Sequence, residues 1–186
     1  MSRCLLISVA VISVIFATPA RAGEKSWGTA SDWARNGLIA AALGAPLFQD
    51  DCKSFPFKCD GFRDAALTLV VTGVTTTALK ETISEERPDG SDDKSFPSGH
   101  TSISFAAAAT LHKRNGWQVG IPAHLVAGFV GLARVKAKKH FTHDVLAGAV
   151  IGEAAGWIIT SKKDDKVQWV PWGDAHGGGV TVAMKF

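Results

Sequence analysis

Lys80-Glu81-Thr82-Ile83-Ser84-Glu85-Glu86-Arg87-Pro88 opens the stretch on which the reading of this chain turns. Pro97-Ser98-Gly99-His100 follows, and Arg134-Val135-Lys136-Ala137-Lys138-Lys139-His140-Phe141-Thr142-His143-Asp144 closes it. Three fixed cations, two spaced histidines and a carboxylate thus fall within 65 residues. A phosphoryl group in transfer spreads negative charge over its equatorial oxygens, so a site without metal needs several cations aimed at it. Arginine binds phosphate oxygens two at a time through its planar fork, and lysine supplies a point charge.

The histidines fit the same chemistry. One can attack phosphorus while the other protonates the leaving oxygen. Asp144 lies four residues after His140, one helical turn on, where it can fix the imidazole tautomer. Ser98-Gly99-His100 precedes the apolar run Ile103 to Leu111. If that run is helical, backbone N–H groups at its start face an anion, and Gly99 lets the backbone come close.

These blocks resemble the type 2 phosphatidic acid phosphatases, the PAP2 family, whose superfamily also holds the bacterial class A acid phosphatases and the vanadium haloperoxidases. The family pattern is Lys-x6-Arg-Pro, Pro-Ser-Gly-His and Ser-Arg-x5-His-x3-Asp, and all three blocks occur here in order. A single block would be a weak signal; three in order are a strong one. Ala133 stands where the third block has serine, and only eight residues separate Pro88 from Pro97, fewer than in the soluble acid phosphatases. The resemblance implies a PAP2-type all-α bundle of five to six helices. It makes His140 the nucleophile that forms a phosphohistidine, Asp144 its orienting carboxylate and His100 the general acid. Lys80, Arg87 and Arg134 would bind the phosphate oxygens with Ser98 and Gly99, and neither metal nor cofactor would be required.

Outside the blocks the chain has three parts. Residues 1–22 read as a secretory signal, with Arg3, an apolar run from Leu5 to Ala17 and the cleavage pattern Ala20-Arg21-Ala22. An uncleaved first helix is the competing reading. Residues 23–161 would form the phosphatase domain, and 162–186 a tail with one or two short strands, a hairpin in the second case. Cys52 and Cys59 remain after the leader; an even pair in an exported chain suggests a disulfide closing the loop Gln49 to Phe62, with free thiols as the alternative. Helices are expected over Asp32–Phe48, Asp64–Thr82, Ser102–His112, Ile121–Val135 and His143–Thr160. Leu67 to Thr77 is rich in valine and threonine and has strand propensity; its length and charged ends favour helix. Lys80, His100, Arg134 and Asp144 would then lie at four helix ends that meet at one edge of a bundle.

Removing Arg3 and Arg21 with the leader leaves 18 Lys+Arg against 17 Asp+Glu, a balance that argues against nucleic acid as a partner. Gly148, Gly152 and Gly156 place a small residue every fourth position, which suits close helix packing either in membrane bundles or in a soluble contact. Few segments reach the ~20 apolar residues of a membrane span, and the mean hydropathy is only +0.13. An exported protein, soluble or attached to a membrane surface, is therefore expected over one that crosses the bilayer repeatedly. The expected substrate is a phosphorylated envelope lipid or a small phosphomonoester. A broad-specificity acid phosphatase, a phosphate or headgroup binder without turnover, and a vanadium haloperoxidase are the alternatives. Zinc held by His100, His140, His143 and Asp144 is disfavoured by the surrounding cations.

Overall fold

The computed structural model describes residues 23–48 and 59–162, together with the backbone of 167–174 and 177–184. The expected signal segment and Cys52 lie outside the described residues. Five helices make up the body: α1 Glu24–Gly44, α2 Asp60–Thr82, α3 Gly99–Asn115, α4 Trp117–Lys136 and α5 Thr142–Ile159. A 3-10 turn, Ala45–Phe48, extends α1. Strands β1 Val167–Asp174 and β2 Gly177–Met184 pair antiparallel, Val167 opposite Met184, so the tail is a hairpin. The all-α expectation with a C-terminal hairpin holds.

Helix ends carry the charges that the backbone dipole favours. Asp60 and Asp144 sit in first turns, and Lys80, Lys113, Arg114 and Arg134 in last turns. Gly116, at φ +79°, turns the chain between α3 and α4. The boundaries differ from expectation mainly at α1, which begins at Glu24 rather than Asp32. Asp32 therefore lies inside the helix, and the segment before it, Lys25 to Ser31, has a polar sequence that masks its helical state. Likewise α2 begins at Asp60, inside the segment expected to be loop.

α3 is the central helix and touches the other four. It can do so because it is thin. Ala106, Ala107, Ala108 and Ala109 are all completely buried. The glycine stripe of α5 packs directly onto its backbone: a Cβ at Gly148 would lie 2.6 Å from the Ser98 carbonyl oxygen. Cβ atoms at Gly152 and Gly156 would collide with the Ser102 carbonyl oxygen and with Ala109. On α2 the inward stripe is Thr68, Thr72 and Thr76, where Thr76 Oγ1 meets Ser102 Oγ at 2.9 Å and Thr72 Oγ1 donates to the Thr68 carbonyl oxygen at 2.7 Å. Local hydroxyl bonds of this kind satisfy a buried polar stripe without unwinding the helix.

Small and hydroxyl-bearing residues make up much of the interior, alongside Leu38, Leu111, Val126, Val130 and Ile159. Val70 and Val74 on α2, Leu125 and Leu132 on α4, and Leu146 and Val150 on α5 face outward, each more than half exposed. Large apolar residues outside and small ones at helix contacts are the arrangement of bundles surrounded by lipid. Among the described residues one helix, Trp117–Lys136, is long and apolar enough to cross a membrane. Glu153 accepts from Trp157 Nε1 at 2.8 Å and pairs with His124 Nε2 at 2.5 Å.

Candidate active site

The four helix ends do meet. Lys80 closes α2, His100 lies in the first turn of α3, Arg134 ends α4, and His140 and Asp144 bracket the start of α5. The connection from Ile83 to Ser98 folds back on itself through Glu85 N–H to Asp93 O at 2.9 Å and Ser95 N–H to Glu85 O at 2.8 Å. It brings Arg87 and Ser95 to the same edge. The Phe96–Pro97 peptide is cis.

Asp144 is completely buried and is held on three sides. Its Oδ2 accepts from Ser95 Oγ at 2.5 Å and from the Phe141 N–H at 2.9 Å, and its backbone carbonyl accepts from the Ser98 N–H at 3.0 Å. His140 Nδ1 lies 3.5 Å from the same Oδ2, close enough for ion pairing but poorly aligned for a hydrogen bond. His140 is itself buried. Burial, followed by the nearby Arg134, Lys80 and Arg87, pushes its pKa well down, against the opposing pull of Asp144. A depressed pKa keeps the imidazole neutral, the form in which it can act as a nucleophile.

The cations differ in how they are engaged. Arg134 is 8% exposed and its Nε is a buried donor without a hydrogen-bond partner among the described residues; Nη1 reaches Ser31 Oγ at 3.5 Å. Lys80 Nζ donates to the carbonyl oxygens of Lys94 and Ser95 at 2.7 and 3.2 Å. Burial first, then Arg87, lowers its pKa to about 8. Arg87 Nε is paired with Asp92 Oδ1 at 2.5 Å, and its Nη1 reaches Lys139 O at 3.4 Å. Arg134 Nε and His140 Nδ1 are buried without a hydrogen-bond partner among the described residues, and Asp144 Oδ1 faces His143 Nε2 at 3.0 Å. A buried polar atom left unpaired costs about 1–3 kcal/mol, so Arg134 Nε is a buried donor that an anion would satisfy.

Ser98 caps α3 and is completely buried; its hydroxyl accepts from Thr101 Oγ1 at 3.0 Å and its N–H is spent on Asp144. Gly99 starts the helix, where a Cβ would be in ordinary contact with Thr76 and Lys80, at 3.6 and 4.0 Å. His100 Nε2 meets Asp32 Oδ1 at 2.6 Å and Arg35 Nη1 at 2.7 Å. Burial first, then Arg134, lowers its pKa to about 4, with Asp32 opposing. Ala133 is fully buried in α4. Cys59 is buried at the head of α2, and its expected partner lies outside the described residues.

Three participants were not evident from the sequence. Ser95 has a signal in its place beside the Pro-Ser-Gly-His block, but its role depends on the fold-back of the 83–98 loop. Asp32 and Arg35 carry no signal, because nothing local connects α1 to residues 65 positions away. His143 is exposed, with Nε2 at 2.7 Å from Glu85 Oε1 and 3.0 Å from Asp144 Oδ1. The metal-spaced group among the described residues is Glu85, His143 and Asp144, not the His100–His140–His143–Asp144 set. Lys80 lies in the field of Asp144 and disfavours a cation there.

Three cations and two histidines thus gather at one end of an α bundle. The PAP2 superfamily model matches residues 62–168, and the chain belongs to that superfamily. It is 36% identical over 101 residues to a lipid A 1-phosphatase of Porphyromonas gingivalis, covering 50% of this chain and 22% of the relative. It is 29% identical over 165 residues to a lipid A 1-phosphatase of Rhizobium etli, covering 79% of this chain and 60% of the relative. The chain thus spans less than two thirds of the length of these relatives. Aquifex aeolicus LpxE has the same fold, with a TM-score of 0.53 at 22% identity over 83% of this chain and 92% of that one. So does a transmembrane PAP2-type phosphatidylglycerolphosphate phosphatase from Bacillus subtilis, with a TM-score of 0.55 at 23% identity over 84% of each chain.

Proposed function

We propose that this protein is a metal-independent phosphatase of envelope lipid phosphates, working through a phosphohistidine. The observation that carries the reading is the buried, unpartnered donor Arg134 Nε beside a buried His140 that also lies in the field of Lys80 and Arg87. In the proposed reaction the neutral His140 attacks phosphorus and the P–O bond to the leaving group breaks. His100 gives its proton to the departing oxygen. Water then attacks the phosphohistidine and releases inorganic phosphate. Asp144 supports the cation that forms on His140, and Arg134, Lys80 and Arg87 stabilise the equatorial oxygens. The N–H groups that open α3 at Gly99 and His100 add the field of a helix N-terminus.

The lipid substrate is supported by the names of the relatives and by the outward apolar faces of α2, α4 and α5. Such faces would keep the protein at a membrane, where a phosphorylated headgroup can reach the helix ends. Export to the periplasmic side, a cleaved leader over residues 1–22 and a Cys52–Cys59 disulfide complete the proposal. The test is phosphate release in EDTA from a lipid phosphate in detergent and from a small soluble monoester, with His140→Ala as control. Turnover that survives EDTA, is lost in the variant and favours the lipid supports the proposal. Better turnover of the soluble ester would make the protein a broad-specificity acid phosphatase, and no turnover on either would make it a binder.

A further inference from the structure

Helix α1 reaches the site through one turn that lies outside the three sequence blocks and before the residues matched by the family model. Asp32 and Arg35 are three residues apart on one face, and their side chains approach to 3.9 Å. Both touch the same atom: His100 Nε2 lies 2.6 Å from Asp32 Oδ1 and 2.7 Å from Arg35 Nη1. The preceding residue, Ser31, contacts Arg134.

One ring nitrogen cannot satisfy both neighbours at once. With a proton, Nε2 donates to the Asp32 carboxylate and repels Arg35. Without one, it accepts from Arg35 and faces Asp32 lone pair to lone pair. The two contacts therefore belong to opposite states of the ring. The charged groups facing His100 are Arg134 from α4 and Asp32 and Arg35 from α1. Both arginines and burial work against a charged ring, and Asp32 works for it.

We propose that Asp32 is the positioning residue of the leaving-group acid, holding His100 through Nε2–H, and that Arg35 competes for the same nitrogen and favours the neutral ring. The inference rests on reading His100 as the acid of a phosphatase. With Nε2–H bound to Asp32, Nδ1 carries the proton that passes to the ester oxygen. The electron pair of the breaking P–O bond stays on that oxygen, and the ring is left neutral and still bound to Asp32. Arg35 captures the other neutral tautomer, protonated on Nδ1.

The test compares the full chain with its Asp32→Asn and Arg35→Gln variants in two measurements. Asp32 is half exposed, so the change to asparagine leaves packing intact. The first measurement is the titration of the His100 ring by NMR, which needs no turnover. Asp32→Asn should move it to lower pH and Arg35→Gln to higher pH. The second is turnover of an alkyl phosphate against p-nitrophenyl phosphate. Asp32→Asn should slow the alkyl ester about tenfold or more and the activated ester by less than about twofold, because only the poor leaving group needs the acid. A His100 titration unmoved by both variants, or equal losses on both esters, overturns the proposal. If the parent chain turns over neither ester, the phosphatase reading and the acid role fall together, and the titration alone decides whether Asp32 holds the ring.

Discussion

Ser95 Oγ donates to Asp144 Oδ2 at 2.5 Å, joining the loop before α3 to the first turn of α5. The contact fixes the carboxylate at the position from which it faces His140 Nδ1, 3.5 Å away. In the proposed mechanism Ser95 thus acts on His140 through Asp144. Ser95→Ala should lower kcat on a phosphate monoester by about tenfold with KM little changed, since it misplaces a group needed in the transition state rather than in binding. Asp144→Asn should cost more, roughly 10²–10⁴-fold, as expected when the partner of a catalytic histidine is lost. Steady-state kinetics on both variants, with circular dichroism to confirm folding, checks the order. A Ser95→Ala loss that appears only in KM would remove Ser95 from this role.

His140 and His100 are both held neutral by burial and by arginine, with His100 at about 4. An unfolded histidine titrates near 6.5. Between those values the unfolded chain binds more protons than the folded one, so stability is lost as pH falls through this window. The melting temperature should drop on acidification from about pH 6.5 toward 4. His140→Gln should flatten part of that slope. A melting temperature constant over the window would mean that the rings are protonated in the folded state.

The same depression sets the rate profile. The proposed mechanism needs the acid form of His100, so kcat/KM, which reports the free protein, should decline as pH rises from the acid range. A bound phosphate adds negative charge beside the ring and stabilises its proton. The decline in kcat should therefore lie at higher pH than that in kcat/KM, and His100→Ala should erase it. Coincident declines in the two parameters would speak against a phosphate-sensitive His100.

The bundle and its chemistry were unequally legible in the sequence. The three blocks located the site residues at helix ends because turn residues and charges at Pro88, Gly99 and Gly116 mark those ends locally. The Val/Thr run of α2 declared its length but not its inward face, since Thr68, Thr72 and Thr76 become a core stripe only opposite Ser102 and Thr160. Asp32 and Arg35 were invisible for the same reason. Their contact with His100 depends on α1 crossing the head of α3, and no local spacing encodes it.

Gly152 tests the close packing of α5 on α3. A Cβ there would collide with the Ser102 carbonyl oxygen and lie 2.7 Å from the Ala106 nitrogen, both rigid backbone atoms. Gly152→Ala should therefore destabilise by about 1–3 kcal/mol, the usual cost of overpacking. Gly128, exposed on α4 with nothing within 4 Å of its Cβ position, is the control. There alanine should stabilise by about 0.5–1 kcal/mol through helix propensity. Thermal unfolding of both variants gives the comparison, and equal small effects would mean that α5 can slide on α3 at little cost.

Lys80 offers a probe of the anion site that needs no catalysis. Burial and Arg87 bring its pKa to about 8, so it is charged through the neutral range and loses its charge above. Inhibition by inorganic phosphate or by vanadate, which mimics the pentavalent phosphorus state, should weaken as pH rises through about 8. Phosphate is already dianionic there, so its own ionisation does not supply the change. Lys80→Met should bind phosphate more weakly at every pH and lose the dependence near 8, while Lys80→Arg should keep binding at pH 9 close to that at pH 7. Should the wild-type inhibition constant be flat from pH 7 to 9.5, Lys80 serves the Lys94 and Ser95 carbonyls alone, and the anion is held by the two arginines.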